Sequence, residues 1–175
     1  MPMMMGLVGV KKPAGAAAYT GPGDITSFGH WWGLRAYSNA TIGTDLVRLR
    51  EDGGSTEANF ASIAGGGLDL AAIATFKGAN NLFVVTLFDQ GSVGGITLTQ
   101  ATTANQPAFT LSGVGALPVM TFTRAALSNL ASSAGITQIQ PLSTWAIGNR
   151  TGSTTNAADL FGNTTGIHNI LRFSA

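Results

Sequence analysis

Carboxylates are the side chains of this chain that could carry out hydrolysis, and they are few. The 175 residues include eight Asp and Glu, two His and no Cys. Glycoside hydrolysis needs two carboxyl groups about 5 to 5.5 Å apart for retention, or about 6.5 to 9.5 Å apart for inversion, in a cleft that raises the pKa of one. Most of the acids lie in turn-like or polar contexts, which predict solvated surface positions: Asp24, Glu51, Asp52, Glu57 and Asp159. Asp69 is predicted to cap a short helix.

Asp89 is the acid with the most distinctive surroundings. It follows the most apolar β-prone run of the chain and precedes Gln90 and Gly91. A carboxylate and an amide at a strand end can accept backbone hydrogen bonds where the strand turns, so a structural role is favoured. Contact with a ligand or cation, and catalysis, remain open alternatives. No acid lies mid-strand with a second acid two residues away, so we assign no catalytic residue and predict that the chain is not an enzyme.

His30, Trp31 and Trp32 are consecutive and form the other chemically interesting group. They could form a flat platform for a sugar or a base, or they could fill the core with one polar edge satisfied, which we favour. His168 alternates with apolar neighbours and is predicted on the polar face of a final strand. No serine-nucleophile elbow, zinc-protease helix, phosphate loop or dinucleotide fingerprint is present, so no cofactor or metal site is predicted.

Charge composition limits the partners. Nine Lys and Arg against eight acids give a net charge of +1, with no basic run beyond Lys11 and Lys12, so we predict no nucleic-acid partner. Apolar runs are far shorter than the ~20 residues of a membrane helix, and the positive charges at the N-terminus follow the apolar residues as they do not in a signal peptide. Charged residues make up only 10% of the chain, against roughly 25% on average, so we expect other copies of the chain to cover part of its surface in a homo-oligomer.

The elements that must position these side chains are mainly short strands. Residues 1–24 are predicted to form an N-terminal arm, either mobile or ordered by docking on a neighbouring subunit, and residues 25–175 a single domain. One short helix is predicted over 68–77. Strands are predicted at 46–50, 82–88, 95–100, 108–111, 119–123, 136–139, 143–148 and 167–173. This spacing, without alternating long helices, predicts an all-β fold: an antiparallel β-sandwich or jelly roll with one short helix.

Six segments of the chain form a recognisable series in their order and spacing. They are Ala36-Tyr37-Ser38, Val47-Arg48-Leu49-Arg50, Gly67-Leu68-Asp69, Phe83-Val84-Val85-Thr86, Phe88-Asp89-Gln90-Gly91-Ser92, and the run from Thr99 to Pro107. In this series the chain resembles a family of phage and prophage virion proteins, whose domain is similar to concanavalin A-like, laminin G-like and arabinofuranosidase B-like jelly rolls. Leu87 and Phe88 stand where the family usually has Trp and Tyr, and Gly91-Ser92 inverts the usual Ser-Gly.

The resemblance implies a structural protein of a tailed bacteriophage, located in the virion as a capsid decoration, minor tail or fibre-associated component. Its partners would be other copies of itself and other virion proteins. A lectin-like carbohydrate-binding module for a host surface glycan is the alternative, and a glycoside hydrolase fragment is a third interpretation. The chain stops earlier than a complete jelly roll would, so we expect the last strands to be missing or supplied by another chain, because open sheet edges are usually covered.

Overall fold

A computed structural model describes residues 18–123 and 125–135, and describes residues 158–161 and 171–173 as backbone strands. The chain divides into two compact units, Met1–Ile136 and Thr137–Ala175. Several sequence predictions lie outside the described residues: residues 1–17 of the arm, the strands at 136–139 and 143–148, His168 and the side chain of Asp159.

The described residues of the first unit form seven strands and one α-helix. The strands are β1 (Asp45–Glu51), β2 (Glu57–Ala61), β3 (Leu82–Leu87), β4 (Leu98–Thr99), β5 (Ala108–Thr110), β6 (Val119–Thr121) and β7 (Ala131–Ser132), and the helix is α1 (Leu70–Lys77). The predicted all-β fold with an antiparallel sheet and one short helix is confirmed. No helix of the described residues is long and apolar enough to span a membrane.

All strand pairs of the sheet are antiparallel. β1 lies between β2 and β3, and the other side of β3 pairs with β5 near its beginning and with β4 near its end. β6 then pairs with β5, and β7 with β4. β3 therefore changes its neighbour between Phe83 and Thr86, and Asp89 and Gln90 follow shortly after the strand ends at Leu87.

The core lies on one face of this sheet. Leu49 and Val84 are fully buried there, and α1 contributes Ile73, which is also fully buried. The rings of Phe60 on β2 and Phe76 on α1 lie 5.4 Å apart. The long strands β1 and β3 are paired with other strands on both sides. Their apolar side chains are therefore the most fully buried of the sheet.

α1 begins as the sequence predicts. The carboxylate of Asp69 accepts a hydrogen bond from the backbone N–H of Ala72 at 3.0 Å, and the helix ends at Lys77 before Gly78. The cap satisfies one of the four N–H groups that a helix leaves unpaired at its start. The predicted capping role of Asp69 is therefore confirmed.

The second unit is described only by two strands. β8 (Ala158–Phe161) and β9 (Leu171–Phe173) form an antiparallel pair, with Asp159 opposite Arg172 and an irregularity in register after that pair. β9 falls within the predicted strand at 167–173, whereas β8 was not predicted.

Candidate functional site

Asp89 is a buried carboxylate that joins two distant segments of the first unit. Its Oδ1 accepts hydrogen bonds from the backbone N–H of Trp31 at 3.0 Å and from that of Gly91 at 2.9 Å. Its Oδ2 lies 2.6 Å from Nδ1 of His30, and only 1% of the side chain is exposed. The carboxylate thus joins the end of β3 to a loop 59 residues earlier in the chain.

The charge of Asp89 follows from these donors. Burial acts to raise its pKa, but the hydrogen bonds from His30, Trp31 and Gly91 outweigh burial, so the pKa lies below the ordinary value of 3.8. Asp89 is therefore ionised at neutral pH and can only accept. It follows that Nδ1 of His30 carries the proton and donates it to Asp89 in this hydrogen bond. Nε2, the other ring nitrogen, then points away from Asp89.

Gln90 fixes the same loop from the next position. Its backbone N–H donates to the carbonyl of Trp31 at 2.9 Å, and its side-chain Oε1 accepts from the backbone N–H of Tyr37 at 3.0 Å. Its Nε2 donates to the carbonyl of Arg35 at 3.3 Å. Gln90 is buried. Without its side chain, the backbone groups of Tyr37 and Arg35 would therefore lose a partner that water could not readily replace. Together Asp89 and Gln90 hold the loop that carries the aromatic residues.

The aromatic residues of this loop pack against each other and the core. The His30 and Trp32 rings are stacked 5.5 Å apart and are almost parallel, and Nε1 of Trp32 donates to the carbonyl of Ile96 at 2.7 Å. Trp32 also packs against the main core. The ring of Trp31 lies 5.8 Å from that of Phe28 and 5.9 Å from that of Tyr37. The favoured core interpretation therefore describes Trp32 better than an open platform does.

A His–Asp pair is chemically incomplete on its own. Such a pair can orient an imidazole as a general base, but nucleophilic catalysis needs a hydroxyl or thiol within hydrogen-bond reach of the free nitrogen. Among the described residues, no hydroxyl hydrogen-bonds to Nε2 of His30, and the hydroxyl of Ser92 donates instead to the carbonyl of Phe28 at 3.0 Å. This arrangement is suited to ordering the loop.

The sequence prediction for Glu51 is wrong. It was expected on the solvated surface, yet it is only 5% exposed, because its carboxylate accepts from the backbone N–H groups of Gly53, Gly54 and Thr56. The side-chain amide of Asn80 donates to it as well. The hydrogen bond from Thr56 is the largest influence, and with those from Gly54 and Gly53 it lowers the pKa of Glu51 against the opposing effect of burial.

The remaining acids of the described residues are at or near the surface. Asp24 and Asp52 are exposed as predicted; Asp24 accepts from Gly21 and Asn39, and Asp52 accepts from Asn81. Asp45 accepts from the amide of Asn59, and Glu57 is exposed. Within the part of the chain that the structure describes, no three His, Asp or Glu side chains are grouped so that they could hold a metal ion.

A shallow groove lies apart from these acids. It has a volume of about 430 Å³ and runs beside the end of α1 and the strands β3 and β5, with Lys77, Phe83 and Phe109 among its lining residues. Its lining includes no Asp, Glu or His. The groove therefore brings none of the predicted chemistry-bearing residues together.

In comparisons with known proteins, no family model, no curated protein and no solved structure matches the chain.

Proposed function

We propose that the chain is a structural subunit of a tailed-phage particle. The observation that supports this most strongly is how its acids are used. Of the seven acids whose side chains the structure describes, six accept hydrogen bonds from groups of the same chain: Asp24, Asp45, Glu51, Asp52, Asp69 and Asp89. Most of these donors are backbone N–H groups at turns, strand ends and a helix start. Side chains that hold the backbone in this way favour a scaffold over a catalyst.

The exposed apolar side chains support the same proposal. Ile25, Val93, Val114 and Leu127 are each 66% to 79% exposed among the described residues. Single exposed apolar residues are common, but here they accompany a charge content of only 10%. Contact with other subunits would cover such side chains. The location in a phage virion, as decoration, minor tail or fibre-associated component, follows from the resemblance of the six segments.

A lectin-like module is the second candidate. The observation in its favour is the stacked pair of His30 and Trp32, since the His30 side chain is 19% exposed and stacked rings can pack on the apolar face of a sugar. Against it, Nε1 of Trp32 and Nδ1 of His30 already have partners within the chain. These two groups could therefore orient a sugar only by giving up those partners.

A glycan array and a turnover assay on the purified chain separate the candidates. We expect no glycan bound in a Trp32-dependent manner, and no hydrolysis of aryl arabinosides, galactosides and glucosides or of host surface polysaccharide above buffer. Binding that Trp32→Ala abolishes while the fold is retained would establish the lectin function instead. Turnover that disappears both in Asp89→Asn and in His30→Gln, its matched variant, would make the chain a depolymerase.

A further inference from the structure

Two arginines project from the same face of β1. Arg48 and Arg50 are two positions apart, and the β1–β2 register is regular from Val47 to Arg50. Residues two apart on a strand have their side chains on the same face and their Cα atoms about 7 Å apart. Leu49 lies between the two arginines and Val47 precedes Arg48, and both apolar residues are fully buried in the core on the other face. The arginine pair therefore lies on the face of the sheet opposite the core.

The two guanidinium groups are held in the same manner. Nε of Arg48 donates to the side-chain Oδ1 of Asn59, and Nε of Arg50 donates to the side-chain Oε1 of Gln106, each at 2.8 Å. Each guanidinium also lies over a phenyl ring: Arg48 over Phe88 at 5.9 Å and Arg50 over Phe83 at 4.9 Å. An amide and an aromatic ring fix the plane of each guanidinium without neutralising its charge.

No carboxylate of the described residues forms an ion pair with either arginine. The one ion pair found there joins His30 and Asp89. Glu57 lies opposite Arg50 in the strand register, but its carboxylate is not within 4.0 Å of the guanidinium. Asp45 reaches Asn59 rather than Arg48. Asp52 is bound by Asn81 and attracts Arg50 only from beyond 4.0 Å, which helps to lower the pKa of Asp52.

Arg50 makes this lack of a direct ion pair significant. It is 8% exposed, and a buried charge is costly unless it is paired or well hydrogen-bonded. Its Nη1 donates weakly to the carbonyl of Glu51 at 3.4 Å, and the described residues offer no acceptor to Nη2. Nη2 is not fully buried, so it still reaches solvent.

We propose that the arginine pair binds two carboxylate groups presented by alternate acidic side chains of an extended peptide segment in a partner protein, since the Cα atoms of alternate residues in such a segment are also about 7 Å apart. Planar guanidinium groups match carboxylates through N–H donors in a fixed fork. Both terminal nitrogens of Arg48, and Nη2 of Arg50, make no hydrogen bond to the described residues. The match in spacing favours a strand-like peptide. The choice of a protein partner rests on the proposed assembly function, whereas the binding of carboxylates does not.

Fluorescence anisotropy with two labelled, end-blocked peptides tests this assignment. In one peptide glutamate and threonine alternate, and in the other the same residues are arranged with the glutamates consecutive. We expect the alternating peptide to bind more tightly, and Arg48→Gln to weaken its binding by about tenfold or more, since charge-assisted hydrogen bonds are lost. Glu57→Gln should tighten binding, because it removes a negative charge beside Arg50. Arg35→Gln, the matched loss of an exposed arginine elsewhere, should leave binding unchanged.

Arg50 requires two variants because its side chain is buried. Arg50→Met fills the same space without charge, and Arg50→Lys keeps the charge without the planar fork; circular dichroism establishes that each is folded. Both should weaken the alternating peptide. Equal effects of Arg48→Gln and Arg35→Gln, or equal affinity for the two peptides, would overturn the proposal.

Oligogalacturonate serves as the carbohydrate probe in the same assay. Arginine-dependent binding of this acidic sugar that is tighter than binding of the alternating peptide would overturn the peptide assignment and count against the assembly function. Loss of the assembly function alone would leave the arginine dependence of the alternating peptide intact. The two failures are therefore distinguishable.

Discussion

At the end of β3, one carboxylate and one amide organise a loop that arrives from far away in the sequence. Asp89 accepts from His30, Trp31 and Gly91, and Gln90 accepts from Tyr37. Each bond replaces one that the backbone or imidazole group would otherwise make with water. The loss of a buried acceptor therefore costs more than the net contribution of one hydrogen bond, because its donors remain buried.

Asp89→Ala should lower the free energy of unfolding by about 1 to 3 kcal/mol, because it leaves several donors without an acceptor. Urea unfolding followed by fluorescence measures this change. The control is Glu57→Ala, which removes an exposed acid and should change stability by less than about 0.5 kcal/mol. Similar effects of the two substitutions would show that Asp89 does not order the loop, and unchanged stability with lost ligand binding would move it into a binding site.

The lowered pKa of Asp89 predicts how stability depends on pH. The folded state holds this pKa below its ordinary value of 3.8, so the carboxylate stabilises the fold above that value. This contribution is lost as the pH falls through the lower pKa of the folded state. Glu51 and Asp52, whose pKa values are also lowered, act in the same direction.

Urea unfolding at a series of pH values from about 6 down to about 2 should therefore show stability that declines in the acid limb. Asp89→Asn should flatten that limb, since the amide does not titrate. The same slope in wild type and Asp89→Asn would contradict the predicted protonation of Asp89.

At the scale of elements, the loop and the end of β3 approach so closely that only glycine fits at one position. A Cβ atom at Gly91 would overlap the backbone carbonyl of Gly29 and the Cα of His30. Gly91→Ala should destabilise the protein by about 1 to 3 kcal/mol, because the neighbouring backbone would have to move. Thermal unfolding measures the effect.

Gly67→Ala is the matched control for that substitution. A Cβ at Gly67 meets no atom within 4 Å, and its φ is not in the left-handed region. Its stability should be unchanged or raised by up to about 1 kcal/mol. If Gly91→Ala is as well tolerated as Gly67→Ala, the close packing of the loop on β3 is incorrect.

Elements with a strong local signal could be predicted from the sequence. β3 is a continuous apolar run, β1 contains Val47 and Leu49 at alternate positions, and α1 follows the capping residue Asp69. β2 was not predicted, because Glu57, Ala58 and Asn59 have low strand propensity and the strand forms by pairing with β1. Tertiary pairing therefore decided what local preference could not.

The site was harder to predict than the elements, for the same reason. The sequence identified Asp89 and Gln90 as acceptors at a strand end, but it did not reveal that His30, 59 residues earlier, donates to Asp89. Glu51 was expected to be solvated because its neighbours are polar. The signal that could have corrected this is the run Gly53-Gly54 after it, since a tight turn exposes backbone N–H groups to a nearby carboxylate.

At the scale of the whole molecule, low charge and exposed apolar side chains predict association. Sedimentation of the purified chain at micromolar concentration should show species larger than the monomer. Replacing Ile25, Val93, Val114 and Leu127 by serine should shift the distribution toward the monomer, because these side chains are exposed. A control that changes the same number of exposed threonines to serine should have no effect. A stable, compact wild-type monomer would contradict this prediction.

The most direct test of the assembly function is the composition of phage particles. Particles purified on a density gradient from a host that encodes the chain would be analysed by quantitative mass spectrometry and by gold labelling with an antibody to the chain. The proposed function predicts that the chain is present at a fixed ratio to the other virion proteins and that the label lies at one site on the particle. Absence of the chain from intact particles, with recovery only in the soluble lysate, would contradict it.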